Sequence, residues 1–175
     1  MRIAIVLVDR TVPGIQELMD AVRKEFGAEV IRDMLDLGAT RSFRKERKQY
    51  DAEILLAEVS RFSPPADKAL YVFREDMFAG GLNFVFGLAS GDSAIISTAR
   101  LDPRFYGKAG DQHAAGELFK ERLVKEALHE LGHAFGLPHC DDRKCVMVFS
   151  NSIADVDFKE AGFCERCRKA LYRKE

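Results

Sequence analysis

The sequence predicts an α+β fold: a mixed, twisted sheet in an α/β-type N-terminal lobe, a backing helix and a second, longer helix, then a small C-terminal lobe. Three observations carry this. The chain opens as strand, helix, strand; a second group of strand-like runs follows from Ala69; and past Gly136 only about 40 residues remain, too few for an unaided core, with all 4 cysteines among them.

Arg2 to Val8 is rich in Ile and Val and ends at Asp9, the pattern of a buried strand. Thr11 is placed to cap a helix with Pro13 in its first turn; Ile15, Leu18, Met19 and Val22 recur as one apolar face, and Gly27 stops it. Ala28 to Leu35 reads as the next strand. Such a β-α-β unit favours two parallel strands, a right-handed crossover and a helix packed behind. Gly38 to Lys48 is the most basic segment, but Glu46 interrupts it and Phe43 is its one aromatic, so it reads as a solvated loop or helix face rather than a nucleic-acid contact.

Gln49 to Val59 predicts a helix on the sheet, ended by Ser63-Pro64-Pro65. Ala69 to Phe73, Leu82 to Ala89 and Ser93 to Ala99 are strand-like, parted by Gly80-Gly81 and Gly91-Asp92. The last two resemble a hairpin, giving the sheet antiparallel character at one edge. Asp102 to Gly110 reads as a loop. From about Gly116 to Phe135, the residues Phe119, Leu123, Ala127, Leu131 and Ala134 advance by three or four, widened by Leu128 and Phe135, as the core-facing stripe of a helix. His113, upstream, reads as a surface or capping residue.

A chain that is 47% hydrophobic and 31% charged is an ordinary globular protein, and a net charge of −1 excludes a global field that recruits nucleic acid or acidic membrane. The apolar run Ile3 to Val8 is too short for a secretory segment and is stopped by Asp9 and Arg10. No run approaches a membrane span. We therefore expect a cytoplasmic monomer without nucleic-acid or membrane partners.

The chemistry concentrates between His129 and Met147, HELGHAFGLPHCDDRKCVM. His129 and His133, four apart, stand one turn apart on one helix face, able to grip a single ion. Glu130 projects near that ion without binding it. Gly136 suits a left-handed helix end and a chain reversal, which brings His139 in as a third ligand. Three neutral imidazoles leave the fourth position of a tetrahedral Zn²⁺ open to water, the layout of a catalytic site. In a reducing compartment Cys140, Cys145, Cys164 and Cys167 are expected as thiolate ligands; together they would close a second, structural zinc site whose binding energy is folding energy. Disulfide stapling of the tail is the alternative. Clamping Cys140 also fixes where the adjacent His139 points. Met147 reads either as a soft floor beneath the imidazoles or as filler in a Val-Met-Val-Phe strand.

The pattern H-E-x-x-H-x-x-G-x-x-H resembles the zinc-binding consensus of the metzincin metallopeptidases. With Cys140 directly after the third histidine, Cys145, Met147 and the closing Cys164-x-x-Cys167, the stretch resembles the archaemetzincin family, in which four cysteines hold a second zinc and the methionine supplies the turn beneath the catalytic one. The motif covers about a fifth of the chain. The resemblance implies one zincin-like catalytic domain, 1–175. Its upper lobe, 1–136, carries the active-site helix, and its lower lobe, 137–175, carries the third histidine, the Met-turn and the cysteine site.

The activity implied is that of a zinc metallopeptidase, endopeptidase or aminopeptidase-like, holding two Zn²⁺ per chain and acting on a peptide or protein. A zinc-bound water attacks, and Glu130 as general base passes its proton to the leaving amine. An edge strand within Leu82 to Ala99 would receive an extended peptide by strand addition. Val146, Val148 and Phe149 would shape the pocket beyond the scissile bond. No tyrosine stands near Met147 as an oxyanion donor, and no upstream cysteine suggests cysteine-based latency. Two other readings are a zinc-stabilised peptide-binding module, against which the carboxylate of Glu130 argues, and a non-peptidase zinc amidohydrolase.

Overall fold

From Ile3 to Val8 no residue is more than 1% exposed, because the first strand is covered on both faces. In the computed structural model, which describes residues 1–107 and 111–172, eight strands form two sheets. They are β1 (Arg2–Val8), β2 (Glu29–Leu35), β3 (Phe43–Arg44), β4 (Gln49–Asp51), β5 (Lys68–Phe73), β6 (Met77–Phe78), β7 (Gly87–Ser90) and β8 (Ser93–Ser97). The larger sheet has the order β2-β1-β5-β8-β7, and the smaller β3-β4-β6. β1 pairs in parallel with β2 and β5, and β5 with β8; β7 alone in that sheet runs antiparallel, at the edge.

Five helices accompany them: α1 (Ile15–Phe26), α2 (Ala52–Val59), α3 (Gln112–Ala134), α4 (Ile153–Phe158) and α5 (Glu165–Tyr172). Alternation along β1 sorts the two cores. Ile3, Ile5 and Leu7 face α1 and α3, whereas Ala4, Val6 and Val8 face Leu55, Leu56 and Val59 of α2. Each such side chain contributes about 1.5–3 kcal/mol of burial. Val146, Met147, Val156, Phe163 and Leu171 join the α1/α3 cluster, so the C-terminal segment borrows a core it could not build alone. Arg168 of α5 meets Glu25 of α1 at 2.8 Å, pinning the end of the chain to that core. Among the described residues, no helix is long and apolar enough to cross a membrane.

The expected parallel β-α-β opening, the β7-β8 hairpin and the long helix are present, with several departures. Thr11 does not cap α1: the helix starts at Ile15, after Gly14 has turned the chain with φ 82°. Residues 49–51 leave the predicted helix to form β4. Lys48 at φ 54° closes a hairpin with β3 out of the basic stretch, and the Asp51 carboxylate accepts from the Glu53 and Ile54 amides to start α2 at Ala52.

Leu82 to Phe86 forms no continuous strand, although Leu82 to Ala89 reads as one; Val85 makes an isolated antiparallel bridge to Met77. The carbonyls of Leu82 and Asn83 accept from Arg47, and that of Asn83 also from Gln49, instead of from a neighbouring strand. The loop after residue 98 contains two short 3-10 turns, Ala99–Leu101 and Pro103–Tyr106, and its last three residues lie outside those described. α3 begins at Gln112, earlier than predicted, capped by Asp111, and His113 lies exposed in its first turn. α4 was not expected; a capping box between Ser152 and Asp155 starts it.

Candidate metal centre

α3 presents His129 and His133 on one face, and backbone carbonyls orient both rings. His129 Nδ1 lies 2.8 Å from the Val146 oxygen, and His133 Nδ1 2.8 Å from the Leu137 oxygen. A carbonyl only accepts, so each Nδ1 carries the proton and each Nε2 is left with a bare lone pair. Those two Nε2 atoms are 3.1 Å apart. Two facing lone pairs repel, and a shared cation removes the conflict.

Gly136, at φ 79°, donates its N–H to the His133 oxygen at 2.7 Å and reverses the chain, as its spacing predicted. His139 then reaches the pair, its ring 4.7 Å from that of His133 and 5.5 Å from that of His129. The ligand nitrogens of all three lie within 4.8 Å of one another. Burial falls off from His129, through half-buried His133, to exposed His139, so the cluster opens on one side. Burial foremost holds all three imidazoles below the usual histidine range, His129 furthest, and the Lys159 charge adds to this. Neutral rings are what a metal requires.

Met147 lies in a turn, not a strand, closed by the Val148 amide on the Cys145 oxygen at 3.0 Å. It packs directly against α3 where Gly132 lies between the two histidines: a Cβ on Gly132 would come within 2.4 Å of its sulfur. Phe149 stands beside the His139 ring at 5.0 Å, and Val146 is fully buried. Val148 is half-buried and Phe149 exposed, and of these three residues Phe149 borders the open side.

Glu130 is buried in the same cleft, a cavity of about 430 Å³ between Leu82–Ala89 on one side and Phe149–Asn151 on the other. Burial, then the neighbouring Glu126 carboxylate, pushes its carboxyl well above the ordinary range, and Lys159 counters them. A larger cavity of about 860 Å³ lies elsewhere, around Pro13, Arg74 and Gln112, and contains none of these ligands.

Glu126 and Lys159 escaped the sequence reading. Lys159 Nζ and Glu126 Oε1 are 2.8 Å apart with side chains 0% and 3% exposed, an ion pair not aligned as a hydrogen bond. Beside it, Arg122 makes two 2.7 Å contacts to Asp157. Helix spacing could have flagged Glu126, one turn before Glu130; nothing local marks Lys159.

The four cysteines converge as well. Their sulfurs lie within 4.8 Å of one another, none is in a disulfide, and Cys140, Cys145 and Cys167 are buried. The amides of Met147 and Cys164 point at the Cys145 sulfur, at 3.5 and 3.4 Å. Burial raises the Cys140 thiol, but the Arg166 guanidinium at 3.2 Å and neighbouring donors outweigh it and bring it down to about 7. Burial pushes Cys145 and Cys167 up. Four sulfurs gathered without a disulfide could together hold one metal ion, and thiolates are donors that zinc accepts.

A family model described as peptidase family M54 matches residues 30–173. An archaemetzincin of Methanopyrus kandleri is 38% identical over 182 residues, covering 99% of this chain and 97% of its own length. The crystal structure of archaemetzincin from that organism superimposes with a TM-score of 0.84 at 37% identity, covering 99% of this chain and 94% of its own. A zinc-dependent peptidase from Methanocorpusculum labreanum gives 0.82 at 30% identity, covering 97% and 99%. The chain thus belongs to peptidase family M54, the archaemetzincins, and is a zinc metallopeptidase acting on peptides or proteins.

Proposed function

We propose that His129, His133 and His139 hold the catalytic zinc, that Glu130 is the general base, and that Cys140, Cys145, Cys164 and Cys167 hold a second, structural zinc. The observation that carries the reading is the pair of Nε2 atoms facing each other at 3.1 Å, each ring's Nδ1 being engaged by a carbonyl, an arrangement that a shared cation relieves. When bound there, zinc would supply a Lewis acid for water and the scissile carbonyl, and its positive charge would favour the ionised form of the Glu130 carboxyl.

The chain's own groups do the rest. Glu130 accepts the proton of the attacking water as the new C–O bond forms, then delivers it to the amide nitrogen as the C–N bond breaks. The β7 edge, with one side unpaired, lies along the cleft and supplies backbone donors and acceptors to an extended peptide. Phe149 borders the pocket beyond the scissile bond, and Met147 is the Met-turn, packed behind the imidazoles. The lobes, 1–136 and 137–175, meet across this cleft. The protein acts as a cytoplasmic monomer.

The test is incubation with a diverse peptide library, with cut sites read by mass spectrometry. Glu130→Ala should keep two zinc ions per chain and the melting temperature but lose turnover by about 10²–10⁴-fold. An active Glu130→Ala variant removes Glu130 from the mechanism, and a single zinc per chain removes the cysteine site.

A further inference from the structure

Gly87 opens β7, the edge strand beside the cleft. Its backbone does not demand glycine, since it is absent from the glycines with positive φ. Its missing side chain is what matters. A Cβ at this position would lie 2.5 Å from Glu130 Cγ, 2.7 Å from Cδ and 2.7 Å from Oε1, inside any distance that real contacts adopt. Cγ sits at the root of the Glu130 side chain rather than at its flexible end, so relief requires turning χ1 of a buried residue.

We infer that Gly87 is a positioning residue for Glu130: the bare edge-strand backbone is the wall against which this side chain rests, and a methyl group there turns the carboxylate away from the bound peptide. The inference rests on the proposed role of Glu130.

A melting cycle and steady-state kinetics test it together. Gly87→Ala should lower the melting temperature by roughly 3–10 °C, as overpacking does in a chain of this size. In a Glu130→Ala background, where all three opposing atoms are gone, the same substitution should cost about 1 °C or less. In the otherwise unaltered protein, Gly87→Ala should lower kcat by roughly 10- to 100-fold while KM stays within about twofold and zinc content is unchanged.

Gly81→Ala, at a glycine with nothing within 4 Å, should leave both readouts as they are. Equal melting losses in both backgrounds, or an unchanged kcat, overturn the inference. If Gly87→Ala is too unstable to assay, its rescue by Glu130→Ala supports the contact, and an equally unstable double variant overturns it. A wild-type protein that cuts no peptide overturns the proposed mechanism instead, and the melting cycle still decides whether Gly87 and Glu130 touch as described.

Discussion

The histidine and cysteine clusters are neighbours in sequence, and in each the ligand atoms lie within 4.8 Å of one another, yet they are assembled in opposite ways. One α-helix provides two of the three imidazoles, and backbone carbonyls tether both rings. The thiols come from loops and the start of α5, and three of the four are themselves among the buried residues of that segment. A helix sets its ligands at the right spacing whether or not an ion is present. Loops do not, so the proposed zinc at the sulfur cluster would set its shape, while the one proposed at the imidazole cluster would supply chemistry.

The largest expected effect tests the first half of that contrast. In isolated zinc modules the metal contributes on the order of 10 kcal/mol of folding free energy. Cys145→Ser should therefore lose one zinc per chain and open residues 140–172 to proteolysis; a variant that stays protease-resistant would show the α1/α3 core to be sufficient. Next is the ion pair that docks this segment on α3. Lys159→Ala leaves Glu126 charged and buried, and should cost about 3–5 kcal/mol in denaturant unfolding, most of it recovered by adding Glu126→Leu. Failure of the second substitution to rescue would mean that Lys159 acts by packing alone. The smallest effect on the fold, though not on turnover, belongs to gentle chelation. It should remove the ion of the open histidine site first, abolishing hydrolysis while one zinc and the α3 circular dichroism remain. Simultaneous loss of both ions would erase the distinction.

The same contrast governs what the sequence made legible. His129, His133 and Glu130 could be placed because one helical stretch carries them, and β1, β5 and β8 because apolar runs bounded by turns signal buried strands. Leu82 to Phe86 misled, since this strand-like run lines a cleft, and the carbonyls of Leu82 and Asn83 are taken by Arg47 and Gln49 from far along the chain. Lys159 and Gly87 were invisible for a related reason: each matters through one long-range contact, with Glu126 and Glu130 respectively, that leaves no periodic trace.

Val146 has cysteine on one side and methionine on the other, its amide is held by the Gly162 oxygen at 2.9 Å, and its own oxygen steers the His129 ring. One residue, through the two peptide units that flank it, therefore links the sulfur cluster to the deepest imidazole. Oxidants that consume the thiols would also disturb the hydrolytic machinery, without ever reaching the cleft.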